Sequence, residues 1–78
     1  MREIKVGAKY KHYKGNLYEV VAVARDSGNP QKELVAYKAL YDSPEFGKNQ
    51  VWVRSKEEFL AEVAKNGKTF LRFEEVLD

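Results

Sequence analysis

The chain has no cysteine, a single histidine, one methionine and two prolines, and each scarcity removes a class of answer. Without thiols there is no disulfide, no thiolate metal site and no thiol redox chemistry. One imidazole cannot build a zinc site, and the acidic residues form no cluster that would supply the missing ligands. No glycine-rich phosphate loop is present, and no serine or threonine sits in a nucleophile elbow, so neither a metal nor a cofactor is expected. The longest apolar run, Val20 to Ala24, is far too short to span a bilayer. The opening Met1-Arg2-Glu3-Ile4-Lys5 does not read as a signal peptide. The expectation is a soluble cytoplasmic protein with no membrane partner.

Seventy-eight residues make one domain, 1–78. A chain of this size buries only about 60% of its unfolded surface, so its core is small. What it does have is rings: five tyrosines, four phenylalanines and one tryptophan, which must carry much of that core. The net charge of +2 is modest but uneven. Residues 1–18 hold five Lys/Arg against Glu3, whereas residues 57–78 hold six Asp/Glu against three Lys/Arg. Such polarity can steer an anion toward the first part of the chain. Edge lysines also block sheet-to-sheet aggregation, which explains the same residues without a partner.

The stretch Gly7 to Val20 has alternating side chains on both sides of a Lys14-Gly15-Asn16 turn, the mark of a β-hairpin. Strand side chains alternate faces, so Lys9 and Lys11 point to water while Tyr10 and His12 point inward. Leu17 to Arg25 reads as a long strand with apolar residues on both faces: Tyr18, Val20, Ala22 and Ala24 on one, Leu17, Val21 and Val23 on the other. That pattern predicts a central strand covered on both sides. A turn follows at Asp26 to Pro30, then a strand over Glu33 to Tyr41. Asp42 to Asn49 is a loop with Phe46 at its tip, and Gln50 to Arg54 is a fourth strand. Ser55-Lys56-Glu57-Glu58 is a capping box. Phe59, Leu60 and Val63 then recur at helical spacing, and Asn66-Gly67 predicts the helix end. Lys68 to Val76 closes as the last strand. The fold class is mainly β: a small barrel or roll of about five strands with one short helix before the last.

These blocks resemble a known family. Tyr10 through Val20 (YKHYKGNLYEV), Val35 through Tyr41 (VAYKALY), Val51-Trp52-Val53-Arg54, Phe59 and Arg72-Phe73 are similar, in order and spacing, to the bacterial domain-of-unknown-function family numbered 1653. The resemblance implies an SH3-like barrel and transfers no catalytic role. The chain departs from the family pattern at Asp26, where relatives often carry histidine, so no second imidazole accompanies His12.

Several residues carry candidate chemistry. His12 can be a packing element, a ligand contact or an acid–base group with Glu19 or Glu33 as partner. Trp52 and Arg54 share one strand face. If Val51 and Val53 fill the barrel, the pair projects outward as a recognition surface; if Trp52 faces inward, Arg54 lies at the rim of the core. Arg25 suits a carboxylate or phosphate, or an ion pair with Glu33 across the turn. A noncatalytic binding module is expected, its groove lined by Tyr10, His12, Tyr37, Trp52 and Arg54, with Arg25 and Glu33 as further contacts. Its ligand would be a protein, peptide or small molecule. Single-stranded nucleic acid bound through the basic hairpin is the alternative, and a small enzyme using His12 is the third. Monomer or weak dimer fits either.

Overall fold

The computed structural model describes residues 4–77; Arg2 and Glu3 of the basic N-terminal count lie outside them. Among the described residues nine strands and one helix follow in chain order: β1 (Lys9–His12), β2 (Leu17–Asp26), β3 (Asn29–Ala39), β4 (Asp42–Ser43), β5 (Gly47–Lys48), β6 (Val51–Ser55), α1 (Lys56–Leu60), β7 (Glu62–Lys65), β8 (Lys68–Leu71) and β9 (Phe73–Glu75). Five of these form an antiparallel sheet in the order β6-β3-β2-β1-β9. The fold is mainly β with one short helix, as the strand pattern implies.

Each turn has a local cause. Between β1 and β2, Gly15 takes φ +107 with open space where a Cβ would stand, so glycine is needed there for its backbone and not for room. The β2–β3 turn is closed by the Asp26 carboxylate, which accepts from the Gly28 amide at 2.8 Å. The loop over Asp42–Asn49 is itself a small hairpin, β4 against β5, with the Ser43 hydroxyl accepting from the Glu45 and Phe46 amides.

The core is mostly aromatic. Tyr10, Val20, Val35, Tyr37, Phe59 and Phe73 form its buried cluster, with Ile4, Ala8, Tyr18, Trp52 and Leu60 packed against it. Phe59 and Phe73 stack nearly parallel, 8° apart with centroids 4.2 Å apart. Tyr10 meets Phe59 edge-on at 5.1 Å, and Tyr37 meets Phe73 at 5.1 Å. Such pairs add about 0.5–1.5 kcal/mol each beyond the area they bury.

Three expectations need correction. First, β2 is not covered on both sides: Leu17 and Val21 are 42% and 37% exposed. With α1 five residues long, one face of the sheet is packed and the other stays wet. β2 also does not alternate regularly. Val20 opposes Tyr37 but Ala22 opposes Ala36, so Val21 is an extra, bulged residue. Beyond it, Val23 opposes buried Val35 and Arg25 opposes Glu33, which puts both on the face of Tyr18 and Val20 instead of the opposite one.

Second, the helix does not run to Asn66-Gly67. Its start is as expected: the Ser55 hydroxyl accepts from the Glu58 amide at 3.2 Å and donates to the Glu58 carboxylate at 3.0 Å. It stops at Leu60, and Ala61 is extended at φ −72, ψ 158. A helix this short has no stability of its own; Phe59, 1% exposed, anchors it. Third, Val63 lies in a strand. β7 pairs with β8 across Asn66 (φ 53) and Gly67 (φ 76). Two successive positive φ values are what a two-residue type I′ hairpin turn demands, and Asn-Gly supplies them. The last strand is therefore split, with β8 in this hairpin and β9 closing the sheet against β1.

Candidate functional site

Register decides which side chains meet. Directly opposed residues in an antiparallel pair share a face. Along the sheet the pairs Tyr10–Tyr18, His12–Phe73, Val20–Tyr37, Tyr37–Trp52, Val35–Arg54 and Arg25–Glu33 chain together. All seven residues singled out from the sequence therefore stand on the packed face.

Their depths differ. Tyr10 is 3% and Tyr37 6% exposed, so both rings are core and leave a ligand almost no surface. Their polar tips misled the sequence reading, because a tyrosine at the core edge has the same pattern as one lining a groove. Trp52 is half-buried against the core while Val51 and Val53 are 45% and 61% exposed. The inward alternative for the indole holds, and Phe46 stands edge-on to it at 5.1 Å. Arg54 lies at the core rim, its Nε donating to the Tyr37 hydroxyl at 3.5 Å and its guanidinium 3.7 Å from the Glu58 carboxylate.

His12 is half-buried, beside Tyr13 at 4.5 Å and edge-on to Phe73 at 5.0 Å. Its Nδ1 accepts from the Lys14 amide at 3.2 Å, which leaves the proton of the neutral ring on Nε2. Burial, then the charges of Lys14, Arg54 and Arg72, hold its pKa below the ordinary value of 6.5. Both causes favour the neutral ring, which also borders a groove lined by Glu62 and Glu74. The carboxylates weighed as acid–base partners sit elsewhere. Glu19 lies on the outer face between Lys9 and Lys38, and Glu33 is 3.7 Å from Lys56.

Arg25 and Glu33 are not an ion pair, although they are opposed across the strands. The Arg25 guanidinium donates to the Pro30 carbonyl at 2.8 Å. Glu33 lines a groove of about 520 Å³ with Lys56 and Glu58, apart from His12.

Three residues outside the seven singled out from the sequence bear on the same region. Tyr18 and Tyr41 share a hydroxyl–hydroxyl bond of 2.8 Å. Burial and then Tyr41 raise the Tyr18 pKa, so its hydroxyl stays protonated. Arg72 acts electrostatically on His12, and its buried Nε has no hydrogen-bond partner among the described residues. The Arg72-Phe73 pair is visible in the sequence, but alternation along an extended chain would turn residue 72 away from the buried ring at 73, so its influence on His12 had no local signal. The rim thus presents two guanidiniums, an imidazole Nε2–H and tyrosine hydroxyls. All can donate, and the two guanidiniums outweigh the Glu58 carboxylate beside Arg54, so the arrangement suits a small anionic group. Among the described residues no helix is long and apolar enough to cross a membrane.

Comparison with known proteins gives one structural relative and a family. The crystal structure of a DUF1653 protein from Bordetella bronchiseptica is similar at 25% identity and a TM-score of 0.78, over 97% of this chain and 91% of that one. No curated protein matches the chain. The model of the family described as "Protein of unknown function (DUF1653)" matches residues 8–75, and the chain belongs to that family.

Proposed function

We propose that this protein is a noncatalytic binding module that receives a carboxylate-bearing ligand, a peptide or small molecule, at the cationic rim of its aromatic core. The observation that carries this reading is Arg72. A buried guanidinium donor without a partner costs on the order of 1–3 kcal/mol, a cost that an anion reaching the Arg72 Nε would relieve; Arg72 and Arg54 both act electrostatically on His12. Trp52, on the same strand as Arg54, and Phe46, edge-on to it, give the ligand's apolar portion a ring surface. Neutral His12 adds a hydrogen bond without adding charge.

The test is a titration with succinate, with succinamide as the neutral isostere, followed by amide chemical shifts and Trp52 fluorescence. Saturable shifts at His12, Arg54 and Arg72, absent with succinamide and lost in Arg72→Gln, are expected. Shifts no larger than those from sodium chloride at matched ionic strength would reject the reading.

A further inference from the structure

A second surface lies where two hairpin turns meet. The β1–β2 turn contributes Tyr13 and Lys14, and the β7–β8 turn contributes Lys65, Asn66, Lys68 and Phe70, around a cleft of about 410 Å³. That volume lies within the range of small-ligand sites. Its lining carries three cations and two rings and no acid. The two turns are some fifty residues apart in sequence, and the second was read there as a helix end, so only the fold brings them together.

The hairpin register shows how the second wall is built. Lys65 opposes Lys68 and Val63 opposes Phe70, and these two pairs share one face because they are two positions apart. Phe70 is 43% exposed, a ring held at the surface beside two ammonium groups. Opposed like charges destabilise a strand pair, and here they are placed on the hairpin's tightest end. On the other wall Tyr13 is backed by His12 at 4.5 Å, with the Lys14 ammonium 5.9 Å from its ring centre. Glu62 and Glu74 line an adjoining groove that shares Tyr13 and Phe70 with the cleft, and neither lines the cleft itself.

The geometry points to a single-stranded nucleic acid as the occupant of this cleft, one base stacking on Phe70 and the flanking phosphates held by Lys14, Lys65 and Lys68. Rings between point-like positive charges suit unpaired bases of any identity, because every base has a stacking face and lysine does not demand one orientation. A duplex hides its bases from such rings. This site is separate from the Arg54–Arg72 rim, and either can fail without the other.

The test uses fluorescence anisotropy of a labelled oligothymidylate with the full chain across a range of potassium chloride concentrations. Three phosphate contacts predict a log–log salt slope of about −2, from roughly 0.7 per contact on single strands. Phe70→Ala should weaken binding about 5- to 150-fold. The triple variant Lys14→Gln, Lys65→Gln, Lys68→Gln should flatten the slope while raising the unfolding midpoint, since it relieves the opposed charges. A structural role for these lysines predicts the opposite sign. Arg54→Gln should leave binding intact. Unchanged affinity in the triple variant would overturn the inference. So would polyphosphate binding as tightly as the oligonucleotide with no effect of Phe70→Ala, which would mean a charged surface without base recognition.

Discussion

Replacing Arg54 by glutamine separates a ligand-binding guanidinium from a structural one. In the free protein its attachments are weak. The Glu58 pair spans 3.7 Å between side chains 31% and 60% exposed, a class of pair worth about 0–1 kcal/mol. The 3.5 Å bond to the Tyr37 hydroxyl is at the outer limit of hydrogen bonding, and glutamine can still donate to that oxygen. The combined loss should stay below about 1 kcal/mol, a fall in Tm of no more than about 4–8 °C for a domain of this size. A bound carboxylate would lose a charge-assisted bond worth about 1.5–3 kcal/mol, or about 10- to 150-fold in Kd. Thermal denaturation followed by circular dichroism gives the first quantity and the succinate titration the second. The reasoning fails if Arg54→Gln lowers Tm well beyond that range while succinate binding falls only in proportion.

Two further outcomes bear on the core beneath the rim. Phe59→Ala removes the single fully buried residue of α1 and its stack on Phe73; a loss of about 3–5 kcal/mol is expected in urea denaturation, and a loss under about 1 kcal/mol would mean the helix does not hold the sheet. His12 has a lowered folded pKa, so its neutral form is favoured by folding. Stability should be full above the unfolded value near 6.5 and decline as the pH falls below it, and His12→Asn should remove that decline between about pH 6.5 and the onset of carboxylate titration. A pH-independent Tm across that window in the parent chain would refute the burial of the ring.

Features that depend on adjacent residues were legible in the sequence. Lys9, Tyr10, Lys11 and His12 take the faces their alternation dictates, with Tyr10 buried and both lysines exposed. The Ser55–Glu58 cap is equally local. What escaped depends on distant partners. Asn66-Gly67 satisfies a helix end and a type I′ turn with the same positive φ values, and only the pairing of Glu62–Lys65 with Lys68–Leu71 selects the second. The Val21 bulge has no local marker in a run of alanines and valines, so Arg25 could not be assigned its face. Depth was also hidden. Tyr37 was read as groove, but its ring meets Tyr18, Phe59 and Phe73 and only its hydroxyl reaches the rim.

Because the extra residue at position 21 is taken up by the bulge, β2 is one residue longer than its ladder with β3 requires. Excise Val21 and the hydrogen-bonded pairs on either side could close up with Arg25 still facing Glu33 and Val23 still over Val35. Removing a residue from the middle of β3, which has no such slack, would turn everything beyond the gap inside out. What Val21 provides is shape: a bulge bends its strand and sharpens the local twist. A small sheet that must wrap around six buried side chains gains its curl at that point.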